Sequence, residues 1–147
     1  MKTILAPVDF SPVSAAAVDV AASLANGLGA KLWLLHVAAP DPDFVGYAAG
    51  PAEVRDAIAG SLREEHRELE ALARRAAEIG VEVEPLMIQG ATVEAIVAKA
   101  ADLDADVIVL GSHGHRAFMR ALLGSVSEGV LHKSARPVLV IPTHSRA

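Results

Sequence analysis

The chain has 147 residues, 52% of them hydrophobic, which suits one domain with a single core and leaves no room for a second. Its formal charge of −5 argues against a nucleic-acid partner, because Lys and Arg neutralising phosphates supply most of that affinity. The absence of cysteine excludes disulfides and thiolate metal sites and fits a reducing compartment, the cytoplasm by default.

The first strand is predicted from Thr3 to Val8, and it runs directly into Asp9 without the small-residue cleavage site of a signal peptide. Ser11 as N-cap and Pro12 at the first helical position open a helix with Val13, Ala17, Val20, Ala21, Leu24 and Leu28 as its stripe, closed by Gly27 and Gly29. A second strand follows from Lys31 to Val37, in which Trp33 and His36 read as core or sheet-end residues. Pro40, Pro42, Gly46, Gly50 and Pro51 then mark the long loop from Ala38 to Pro51, where Phe44 and Tyr47 are placed to fold over a neighbour.

A helix is expected from about Ala52 to Ile79, with Leu62, Leu69, Leu72, Ala76 and Ile79 inward, an Arg- and Glu-rich face in solvent, and Gly80 at C′. After a strand from Glu82 to Ile88, a third helix runs from about Thr92 to Leu103 with Val93, Ile96, Val97, Ala100 and Leu103 inward. Strands from Asp106 to Leu110 and from Pro137 to Ile141 complete the pattern. Strand and helix periods alternate along the chain, the signature of a parallel sheet covered by helices. Most strands are apolar almost without interruption, as expected when both faces are buried. No apolar run approaches the roughly 18 to 20 residues that a membrane-crossing helix needs.

The segment after the fourth strand carries the chemistry. Gly111 and Gly114 allow a sharp turn and let backbone N–H groups approach a ligand. Ser125 and Glu128 have the spacing of a capping box, so a short helix is predicted near Val126 with its positive dipole end outward. Between Asp106 and Glu128 there is no acidic residue, while His113, His115, Arg116 and Arg120 all occur, so the local potential favours an anion. Asp9 ends the first strand, where open parallel sheets place ligand contacts, and its carboxylate can accept from ribose hydroxyls or an adenine amino group.

Gly111, Gly114, Gly124 and Ser125 in the spacing G-x2-G-x9-G-S, with Asp9 in an early P-x-D and the closing run Arg136-Pro137-Val138-Leu139-Val140, resemble the ATP-binding branch of the universal stress protein family. The resemblance spans essentially residues 1–147. It implies an open five-stranded parallel sheet in the order 3-2-1-4-5 with helices on both faces, a Rossmann-like, adenine nucleotide alpha hydrolase-like α/β fold. It further implies that Pro7, Asp9 and the backbone of Val37 hold adenosine, and that Gly111, Ser112, His113, Gly114, Gly124, Ser125, Val126 and Ser127 surround the phosphates of ATP, with Mg2+ as a possible companion. Homodimerisation through the apolar edge Val138 to Ile141, which Pro142 terminates, is implied as well. His115 departs from the fixed positive charge expected after the second glycine, so phosphate affinity is expected to be modest or pH-dependent.

Other chemistries fit less well. Asp102, Asp104 and Asp106 imitate the start of a calcium loop, but Val107 and His113 stand where that loop needs Gly and Glu. His113 and His115 have no cysteine or neighbouring carboxylate to complete a metal site. There is no Walker lysine, and acidity with few aromatics disfavours RNA clamping through Gly-x-x-Gly. No general base stands beside the cradle, so the expected function is nucleotide binding in stress signalling. The alternatives are a slow ATPase or nucleotidyl transferase using His113 or His115, and a dimer acting through protein contacts without nucleotide.

Overall fold

The computed structural model describes residues 1–39, 52–112 and 123–142. Along the chain lie β1 (Thr3–Pro7), α1 (Pro12–Leu28), β2 (Lys31–Ala38), α2 (Ala52–Ala77), β3 (Val83–Gln89), α3 (Thr92–Asp102), β4 (Val107–Gly111), α4 (Ser125–Lys133) and β5 (Val138–Ile141). The strands form one sheet in the order β3-β2-β1-β4-β5, parallel throughout, as the family resemblance implies. Ile4 is registered with Leu32 on one side and Val107 on the other, so the strand order reverses between β1 and β4. A crevice opens at such a reversal because the connections on either side leave to opposite faces.

Each face has its own apolar cluster. Ile4, Ala6, Leu32, Leu34, Val107 and Val109 meet Val18, Ala21 and Ala25 of α1 and Leu69 and Ala73 of α2. Leu5, Leu35, Ile108 and Leu110 meet Ile96 and Ala100 of α3 and Val130 of α4. Burial on both faces accounts for the uninterrupted apolar character of β1 and β4, whereas edge strand β3 is only partly buried and carries exposed Glu84. No helix among the described residues is long and apolar enough to cross a membrane.

Two predicted helix faces need correction. On α1 the buried positions are Ser14, Ala17, Val18, Ala21, Ala22 and Ala25, while Val20 and Leu28 are exposed. Small side chains let the helix axis approach the sheet closely, so the alanines turn inward and the bulkier row is rotated onto a flank. Helix α2 stops at Ala77, and Ile79 is exposed within the turn that Gly80 closes at φ 95 with its N–H on the Ala77 carbonyl. Beyond the helix its periodicity no longer applies, and Val81 takes the inward position. Phe44 and Tyr47, expected to fold over a neighbour, lie outside the described residues.

At the amino ends of β1 and β4, Asp106 accepts hydrogen bonds from the backbone N–H groups of Lys2 (2.7 Å) and Thr3 (2.9 Å). These donors, that of Lys2 first, hold its carboxyl below the ordinary value of 3.8. A depressed folded-state pKa contributes stability that is present at neutral pH and lost as the pH falls from 3.8 through the lowered value. Asp106→Asn is therefore expected to be less stable than the wild type at pH 7 and to converge on it in acid, as pH-dependent denaturant titrations would show.

Candidate nucleotide site

Beyond β1 the chain stays in the sheet for one more residue, with the Val8 N–H on the Leu35 carbonyl at 2.8 Å. Asp9 and Phe10 then turn it into α1, and Phe10 takes a left-handed φ of 62, uncommon for a bulky residue and a mark of a constrained turn. The Asp9 carboxylate accepts from the Ser11 N–H (3.0 Å) and the Ser14 hydroxyl (2.7 Å), and the Ser14 Oγ accepts from the Asp9 N–H (3.0 Å). Ser11 does occupy the N-cap position, yet its side chain makes no capping bond, and its buried Oγ has no partner among the described residues. Asp9 and Ser14 supply the capping chemistry that the sequence assigns to Ser11. The Asp9 backbone is thereby fixed just beyond the carboxyl end of β1, the strand that neighbours β4.

Gly111 is the last residue of β4, and the chain on either side of the crevice beyond it is tied down by polar contacts. Ser112, buried, donates its N–H to the Ile141 carbonyl at 2.8 Å and accepts the Gly124 N–H on its own carbonyl. Ser127 Oγ donates to the Gly111 carbonyl at 2.7 Å. The amides of Ser112 and Gly124 are therefore already bonded within the protein, which narrows the backbone cradle expected from the glycine spacing. His113 and Gly114, with His115, Arg116 and Arg120, lie outside the described residues.

The predicted capping box is not formed. Gly124 is the N-cap of α4 and Ser125 its first helical residue, so Glu128 sits one position too far along the helix to reach back. Glu128 instead donates its N–H to the Gly124 carbonyl (2.9 Å), and its side chain faces His132 (3.8 Å). The N–H groups of Ser125, Val126 and Ser127 precede the first intrahelical bond and meet no acceptor among the described residues. Among the described residues, these amides and the positive end of the α4 dipole are the groups suited to an anion. Pro7 and Val37, both half-buried, stand at the carboxyl ends of the neighbouring strands β1 and β2.

His36, read from the sequence as a core or sheet-end residue, is buried as expected but makes contacts that the sequence reading did not assign. His36 is 9% exposed on β2, with Nδ1 3.0 Å from the Val8 carbonyl, Nε2 3.3 Å from Glu65 Oε2, and its ring centroid 4.4 Å from that of Phe10. It touches the residues on either side of Asp9 and immediately precedes Val37. The available signal was Glu65, a carboxylate on the α2 stripe between Leu62 and Leu69, where an inward-facing charge calls for a partner.

With this geometry in place, comparison with known proteins is consistent at every level. The universal stress protein family profile matches residues 1–142. The universal stress protein MJ0531 of Methanocaldococcus jannaschii is 37% identical, over 95% of this chain and 81% of its own length. The solved structure of MJ0577, a universal stress protein of the same organism, superposes with a TM-score of 0.80 at 30% identity, covering 99% of this chain and 98% of the other. A universal stress protein solved in complex with cAMP gives 0.71 at 29% identity, covering 97% and 98%. The chain belongs to the universal stress protein family.

Proposed function

We propose that this protein binds an adenine nucleotide, ATP with or without Mg2+, in the crevice at the carboxyl ends of β1 and β4, and acts as a cytoplasmic stress-signalling module rather than as an efficient enzyme. What supports the reading is that Asp9 follows β1 and Gly111 ends β4, neighbouring strands at the reversal of strand order, while α4 begins with amides that meet no acceptor among the described residues. A carboxylate selects the hydroxyls of a ribose and amides at a helix start select phosphate, so one ligand with both groups satisfies the two ends. Complex formation with cAMP by a relative 29% identical supports an adenine nucleotide as the class.

Pro7, Asp9 and the Val37 backbone are assigned to adenosine. Gly111, Ser112, His113, Gly114, Gly124, Ser125, Val126 and Ser127 are assigned to the phosphate end, with the α4 amides as donors and the bonded Ser112 and Gly124 as its walls. Glu128, the carboxylate in the first turn of α4, faces His132 at 3.8 Å, and no role in orienting a water for hydrolysis is assigned to it. Homodimerisation through β5 completes the proposal: β5 is an edge strand, and Leu139 on it is exposed. Calorimetric titration with ATP and Mg2+ is expected to give saturable binding with one nucleotide per chain and a raised melting temperature. Neither heat nor thermal shift at millimolar ATP would overturn the assignment.

A further inference from the structure

We infer that His36 is a positioning residue for the nucleoside end of the site and acts there as an imidazolium, bonded at once to the Val8 carbonyl and the Glu65 carboxylate. The inference deepens the nucleotide-binding reading and rests on it. A backbone carbonyl carries no proton, so the 3.0 Å contact makes Nδ1 the donor. A neutral ring protonated at Nδ1 would turn a bare lone pair at Nε2 toward Glu65 Oε2, 3.3 Å away, itself an acceptor when ionised. Both contacts are favourable together only when each ring nitrogen holds a proton.

Among the described residues, Glu65 is the charged group with a contact to the ring. On this face β1 presents Val8 and Phe10, β3 presents Met87 in register with His36, and α2 presents Glu65 and Leu69. Asp9 directs Oδ1 to Ser11 and Ser14. The protonated ring thus ties α2 to the end of β1 and, through its own backbone, to Val37. Loss of the Nε2 proton turns the α2 contact repulsive and releases the brace from one side, which loosens the setting of Asp9 and Val37 together.

Adenosine is the appropriate probe, because it has no phosphate and no group titrating near neutrality, so His113 and His115 at the phosphate end do not enter the readout. Its affinity for the wild-type protein, followed by NMR titration, is expected to fall about fivefold between about pH 5.5 and 8.5, the size of one typical intramolecular hydrogen bond. In Glu65→Gln the amide can donate to a neutral Nε2, so binding should persist with less than about twofold variation over that range. His36→Ala should bind weakly at every pH. Ring 15N shifts of His36 in the ligand-free protein should report two protonated nitrogens at the acid end and one at the alkaline end.

A role confined to packing would lower the melting temperature of His36→Ala but would not make the pH slope depend on Glu65. ATP binding by the wild type together with a flat adenosine profile, or a slope unchanged in Glu65→Gln, overturns the inference alone. Absence of both ATP and adenosine binding at every pH overturns the nucleotide reading and this inference with it.

Discussion

Asp9→Asn is expected to keep the fold and lose about tenfold in ATP affinity, the difference between a hydrogen bond to a charged acceptor and one to a neutral acceptor. Asparagine retains an oxygen that can accept from the Ser11 N–H and the Ser14 hydroxyl, so the turn into α1 stays closed. What it lacks is the negative charge that strengthens a bond from a ribose hydroxyl. Asp9→Ala removes both functions. Losing the acceptor at the start of α1 should cost about 1 kcal/mol, or about 2–4 °C in melting temperature for a domain of this size. Thermal melts and ATP titrations on the two variants separate the roles. Equal affinities in Asn, Ala and wild type, with only Ala less stable, would mean that Asp9 serves α1 and not a ligand.

That comparison matters because the sequence supports both readings of Asp9. The strands are legible because burial on both faces forces continuous apolar runs, and a carboxylate at the end of the first of them is a ligand candidate on the logic of open α/β sheets. Strand order is not contained in periodicity and comes instead from the family resemblance, which the β3-β2-β1-β4-β5 sheet matches. Local chemistry is where the reading slips. Ser125 and Glu128 have capping-box spacing, but Gly124 enters the turn extended (φ −72, ψ 164), shifting the helix start by one residue and removing the reciprocal bond. Ala17 and Ala21 are inward as expected, but Val20 and Leu28 look inward by hydrophobicity while close approach to the sheet selects Val18, Ala22 and Ala25. The bonds from Ser112 to Ile141 and Gly124, and from His36 to Val8 and Glu65, join residues far apart in sequence, and no local pattern encodes them.

Gly129→Val should destabilise the protein by about 2–3 kcal/mol, at the upper end of what overpacking a well-filled contact costs. Gly129 lies within α4, where glycine is unfavourable by about 1 kcal/mol against alanine, so its presence needs a packing reason. A Cβ at this position would stand 2.8 Å from Val93 Cγ2 and 3.2 Å from Cγ1, because α3 and α4 meet with their backbones unusually near. Alanine sets a gain in helix propensity against a small displacement of Val93, and the two nearly offset. Valine adds two methyl groups to a Cβ that already meets Val93, and its restricted χ1 in a helix limits how far they can turn away.

Val93→Ala in the same chain should restore about 1 kcal/mol or more beyond additivity, as contacting residues do in a double-mutant cycle. A second readout links the contact to the site. Ser125, Val126 and Ser127 begin the helix that Gly129 seats, so pushing α4 away from α3 displaces the amides assigned to phosphate. ATP affinity is therefore expected to fall in Gly129→Val and to recover in Val93→Ala/Gly129→Val. Recovery of stability without recovery of affinity would mean that the helix start is held by the Ser127–Gly111 bond alone and not by the α3–α4 contact.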